Sequence, residues 1–188
     1  MIEVYPQRAD PGWDDYTING LDINIRGANP PDFEVFRDSI QGNAFIGTGV
    51  TVEQGFGSIH ILHDYKAGTD IYPHVHWSHK IGSPSGDVVW QMAYTLARGF
   101  SQGVYPTETT ITFTETAGPQ YTHQIIESAA VIPAGNIEPD TLIKFRIFRD
   151  PAHANDTFEN DAFLDQIDFH YESDGRRTNE KEAPFTKR

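Results

Sequence analysis

The stretch Asp87-Val-Val-Trp-Gln-Met-Ala-Tyr-Thr-Leu-Ala-Arg98 constrains the fold more than any other part of the chain. Val88, Trp90, Met92, Tyr94 and Leu96 occupy one parity, and Gln91 and Thr95 the other. Successive strand side chains point to opposite faces, so five large apolar residues at every second position predict a strand with one face in a core. The same alternation recurs three times. Ile111 and Phe113 oppose Thr110, Thr112 and Thr114; Ile143, Phe145 and Ile147 oppose Lys144 and Arg146; Phe163, Ile167, Phe169 and Tyr171 oppose Gln166, Asp168, His170 and Glu172. Each reads as a half-buried antiparallel strand.

Further strands are expected at 18–25, 43–52, 57–64, 71–80 and 121–128, separated by the turn-forming runs ANPPD, SPSGD, AGPQ, PAGN and DPAHAND. Sixteen Gly and 12 Pro at short intervals suit that pattern. Eight or nine strands in one domain predict an all-β, antiparallel two-sheet sandwich of jelly-roll type. At most one short helix is expected, around PPDFEVFRDSI, where Asp32 can cap and Phe33, Phe36 and Ile40 follow helical spacing. The domain is predicted to span 1–172, with an extended arm over about 1–15, followed by a polar tail at 173–188.

With 188 residues the chain can bury one substantial core. Its formal charge is −13, from 14 Lys plus Arg against 27 Asp plus Glu, which disfavours nucleic acid or anionic lipid as a direct partner. No run of 18 apolar residues and no export signal is recognisable, so no membrane contact is expected. The absence of cysteine excludes a disulfide framework and thiol chemistry.

Residues 74–79 contain three histidines. On a strand, Tyr72, His74, His76, Ser78 and Lys80 share one face; Ile71, Val75, Trp77, His79 and Ile81 share the other. The apolar parity is the better core candidate, so His74 and His76 are expected to be solvated or at a subunit contact, without metal. Gly68, five intervening residues and then His74-Val75-His76 resemble the opening of the first cupin motif, which implies a metal-dependent enzyme using His74 and His76. The motif then departs: Lys80 and Ile81 stand where its glutamate belongs, Glu138 stands where the second motif has histidine, and a cupin pair would point into the barrel. Any metal site would have to be rebuilt from Glu138 or His123.

The other clusters favour structural roles. His60 and His63 lie on opposite strand parities and cannot chelate together without a bulge. Asp150, Asp156, Glu159, Asp161 and Asp165 lack calcium-loop spacing and read as a solvated loop. Ser78, Ser83, Ser85, Ser101 and Ser128 form no nucleophile elbow, and nothing pairs Glu108, Glu115 and Glu127 for acid–base work. No catalytic residue and no cofactor is expected.

Four segments in order carry a resemblance: Asp70 to Trp77; Val89-Trp90 with Tyr94-Thr95; Phe148-Arg149-Asp150; and Asp168 to Glu172 with Gly175-Arg176-Arg177-Thr178. Over about 30–188 the chain resembles a family of small virion structural proteins of tailed bacteriophages. That resemblance implies a non-enzymatic jelly-roll module decorating the capsid or attached to the neck or tail, located in virions assembled in the host cytoplasm. Its partners would be capsid, neck or tail proteins and further copies of itself, with a homotrimer expected. Interface candidates are His74, His76 and the basic tail residues Arg176, Arg177, Lys187 and Arg188.

Overall fold

A computed structural model describes residues 11–27 and 29–186. Ten strands are present among them: β1 (Gly12–Asn19), β2 (Asp32–Arg37), β3 (Ile40–Phe45), β4 (Glu53–His60), β5 (Tyr72–Ser78), β6 (Asp87–Arg98), β7 (Thr109–Thr116), β8 (Gln124–Glu127), β9 (Thr141–Arg149) and β10 (Ala162–Ser173). The antiparallel pairs β3–β10, β4–β9, β5–β8 and β6–β7 make the eight strands from β3 onward one long hairpin, folded at the β6–β7 connection. Rolling that hairpin up adds the pairs β5–β10 and β6–β9. The result is one sheet ordered β2-β3-β10-β5-β8, with β1 also on β10, and a second ordered β4-β9-β6-β7. This is the all-β jelly-roll sandwich expected from the alternation.

The core lies between the sheets. Trp90, Met92, Ile111, Phe113, Ile143, Ile147, Val75, Trp77, Ile167 and Phe169 are at most 2% exposed and belong to one cluster. Trp90 meets Phe45 edge to face at 4.9 Å, and Phe145 meets Phe169 at 5.3 Å. In β6 the second parity is also covered, because Val89, Ala93 and Ala97 are buried beside the expected five.

The predicted helix is corrected: residues 32–45 form the β2–β3 hairpin, turned through Asp38 in the left-handed region (φ 53°). A helix of about ten residues is marginal alone, whereas β3 gains a ladder partner in β10. The hairpin also seats Phe36 against Phe163 (5.1 Å) and Tyr121 (5.2 Å). Three weaker strands are displaced from expectation, with β1, β3 and β4 each starting several residues early.

Phe163 is the second correction. The β5–β10 register shifts between Leu164 and Gln166, so Asp165 is an extra residue that reverses parity. Leu164, Ile167, Phe169 and Tyr171 face the core, while Phe163 joins Gln166, Asp168 and His170 on the outer face.

Both chain ends also differ from expectation. Residues 12–15, assigned to an arm, pair with β10 as part of β1. The segment after β10 folds back on the body: Phe185 is buried and packs on His63 and Phe100, and Asn179 N–H donates to Thr186 O. Arg176 and Arg177 are exposed, while Lys187 and Arg188 lie outside the described residues.

The acidic stretch 150–165 is not simply a solvated loop, because it is tied to the end of β9. Arg149 is fully buried, and its guanidinium donates to both Asp156 carboxylate oxygens at 2.8 Å and to the carbonyls of Phe45 (3.2 Å), Asn160 (2.7 Å) and Phe158 (2.5 Å). Gly86 lets the preceding turn pass this loop: its φ is 101°, and a Cβ there would come within 2.3 Å of Thr157 O.

Candidate functional site

Val75 and Trp77 turn into the core, so His74 and His76 project from the opposite face of β5, as the parity argument expected. Solvation does not follow. His74 is 3% and His76 8% exposed, which corrects the solvated alternative of the expectation that these residues are solvated or at a subunit contact. The reason is lateral crowding: β5 is flanked by β10 and β8, and the rings of His170 on β10 and of His123, just before β8, lie against His74 and His76.

The register places Asp168 opposite His74 and Gln166 opposite His76. Asp168 Oδ2 lies 3.4 Å from His74 Nε2 and 3.0 Å from His76 Nε2. One ligand atom from each of the three residues falls within 4.8 Å of the others, and all three are buried. Neighbouring groups fix the set. Gln166 Nε2 donates to Asp168 Oδ1 at 2.7 Å, leaving Oδ2 to the histidines. His76 Nδ1 hydrogen-bonds His123 Nε2 at 2.7 Å. The His170 ring sits 4.1 Å from that of His74 and is itself paired with Asp15 at 2.8 Å. His74 Nδ1 and His76 Nε2 make no aligned hydrogen bond despite their burial.

Burial holds both histidines below their usual pKa. For His74 the charge of His170 adds to that shift, while Asp168 opposes it. For His76, Asp168 opposes while His74 and His123 add. Neutral imidazoles facing a carboxylate make a donor set that suits a divalent transition ion.

Sequence reasoning singled out His74, His76 and His123 but did not assign Asp168 to them. Its outward parity was legible, but its partner was not. Glu138, the other proposed rescue, lies elsewhere, with its side chain near Arg98 and Ser101. His60 and His63 do converge, on Asp140 Oδ1 at 2.9 and 3.5 Å, because His63 lies past the end of β4 in the following turn. An open depression of about 560 Å³, lined by residues such as Asp22, Phe56 and Lys144, includes none of these histidines.

Fold and site together define a jelly-roll sandwich carrying a histidine–carboxylate cluster on the outside of one sheet. No protein-family model matches the chain, and no curated protein matches it in sequence. Among solved structures, the infectious bursal disease virus Gx strain is similar at 13% identity and TM-score 0.37, over 90% of this chain and 37% of that one. Latent PorU from Porphyromonas gingivalis is similar at 7% identity and TM-score 0.39, over 91% and 14%. The receptor-binding domain of spike protein P1 from bacteriophage PM2 follows at 12% identity and TM-score 0.29, over 63% and 76%. The chain thus spans 37% and 14% of the first two. Likenesses this weak assign neither a function nor a partner.

Proposed function

We propose that the protein is a structural component of a tailed-phage virion, a capsid decoration or head-attached module that works through contacts between copies rather than by catalysis. The observation that carries the reading is the β2–β3 hairpin. β2 is one edge of the larger sheet, and Phe33, Val35 and Ile40 on the hairpin are 57%, 46% and 64% exposed. An open strand edge carrying large apolar residues is an association site unless something covers it. The covering surface in this proposal is a neighbouring copy, arranged as a closed trimer by analogy with other jelly-roll modules. The resemblance to phage virion proteins supports the same reading, because its segments fall on the central strands β5, β6, β9 and β10. Arg176 and Arg177 are exposed past the end of β10 opposite the hairpin, and would add charge to a separate contact, where each pair contributes little.

A cupin-like enzyme is disfavoured by orientation, since its histidine pair would face the barrel interior and this one faces out. Native mass measurement tests the proposal. A trimer is expected, and Val35→Lys with Phe33→Glu should yield monomers with an unchanged melting temperature. A wild-type chain that is monomeric at high concentration, and is absent from particles when a labelled copy is supplied, would overturn it.

A further inference from the structure

We propose that His74, His76 and Asp168 bind one divalent transition-metal ion that clamps β5 to β10 on the outer face of the sheet. The inference does not depend on the virion reading.

The geometry carries it in three steps. First, two of the three ligand separations fit an ion, while the third, between the two histidines, is bounded at 4.8 Å and would close on binding. A tetrahedral ion about 2.0–2.1 Å from its ligands spaces them about 3.3 Å apart; Asp168 Oδ2 stands 3.4 and 3.0 Å from the two Nε2 atoms. Second, the cluster leaves a vacancy in its own hydrogen bonding. His76 Nε2 is buried 3.0 Å from Asp168 Oδ2, yet the two make no aligned hydrogen bond. If His76 gives its Nδ1 proton to His123, Nε2 presents a lone pair to a carboxylate oxygen, and a cation between them turns that repulsion into two bonds. Third, the surrounding groups are arranged as outer-sphere supports. His123 engages the far nitrogen of His76, and Gln166 engages the far oxygen of Asp168, so both would orient a ligand without occupying its binding atom.

Two imidazoles and one carboxylate favour zinc or a neighbouring first-row ion over calcium or magnesium, which want several oxygen ligands. Three protein ligands leave a fourth position for water.

The test uses the full chain stripped with chelator, then titrated with Zn²⁺ alone and with Co²⁺ alone. One tightly bound ion per chain is expected, with a raised melting temperature that chelator reverses. Asp168→Asn and His76→Ala should abolish stoichiometric binding. His123→Ala and Gln166→Ala should weaken it about 10- to 100-fold. A chain with both His60→Ala and His63→Ala should bind as before. Should the Asp168 variant fail to fold, histidine ring signals of the wild-type chain decide. Co²⁺ must perturb His74 and His76; perturbation confined to His60 and His63 overturns the proposal. So does a folded wild-type chain that binds no ion, or binding that survives Asp168→Asn.

Discussion

Removing the carboxylate that faces Arg149 should destabilise the protein more than most core truncations. Asp156→Asn keeps the side-chain shape, but places an amide N–H₂ against a guanidinium that is 0% exposed. Breaking one side of a buried ion pair costs about 3–5 kcal/mol, because the remaining charge stays out of water. Arg149→Met should cost at least as much. The carbonyls of Phe45, Asn160 and Phe158 each lose this donor, at about 1–3 kcal/mol per buried unsatisfied group. The combination of Arg149→Met with Asp156→Leu separates the two causes. Where charge desolvation dominates, the double variant recovers; where the carbonyl staple dominates, it stays within about 1 kcal/mol of Arg149→Met. The staple is expected to dominate, since three of the five guanidinium hydrogen bonds go to backbone. Urea unfolding followed by tryptophan fluorescence measures this. With a slope of about 2 kcal/mol per M, a loss of about 4 kcal/mol lowers the midpoint by about 2 M. A shift below about 0.5 M for Asp156→Asn, or full recovery in the double variant, would refute the reasoning.

Trp90→Ala should cost about 3–5 kcal/mol through lost burial and a cavity beside Phe45, with Gln91→Ala on the other parity nearly silent; a loss under about 1 kcal/mol for Trp90→Ala would place the core elsewhere. Burial raises the pKa of Glu53 in the folded chain, while its carboxylate accepts the Ile46 N–H at 2.7 Å. The folded state therefore holds this proton more tightly than the unfolded state, and the stabilisation is lost as pH rises through the folded value. Glu53→Gln, which can still accept the Ile46 bond, is expected to melt higher than wild type at pH 7. That advantage should vanish below the ordinary glutamate value of 4.5, and thermal melts across pH check it.

Strand identity was legible because burial on one face writes a period of two into the sequence. The core-facing parity of β6, β7 and β9 read correctly, and so did the choice of Val75 and Trp77 over His74 and His76 for the core. The β2–β3 segment misled because Phe33, Phe36 and Ile40 satisfy helical spacing equally well, and pairing with β10 settled the matter. In β10 one inserted residue, Asp165, moved Phe163 to the outer face, and alternation carries no mark of a bulge.

The site follows the same division. Sequence alone determined that His74 and His76 share the outward face of a strand, and that Asp168 and His170 share the outward face of another. Only the tertiary structure decided that those faces are one surface, because β5 and β10 become neighbours across more than 80 intervening residues when the hairpin is rolled. Parity is a property of one strand, so it is written locally. Register between distant strands, and the burial it imposes on polar side chains between them, depends on contacts that no local pattern encodes.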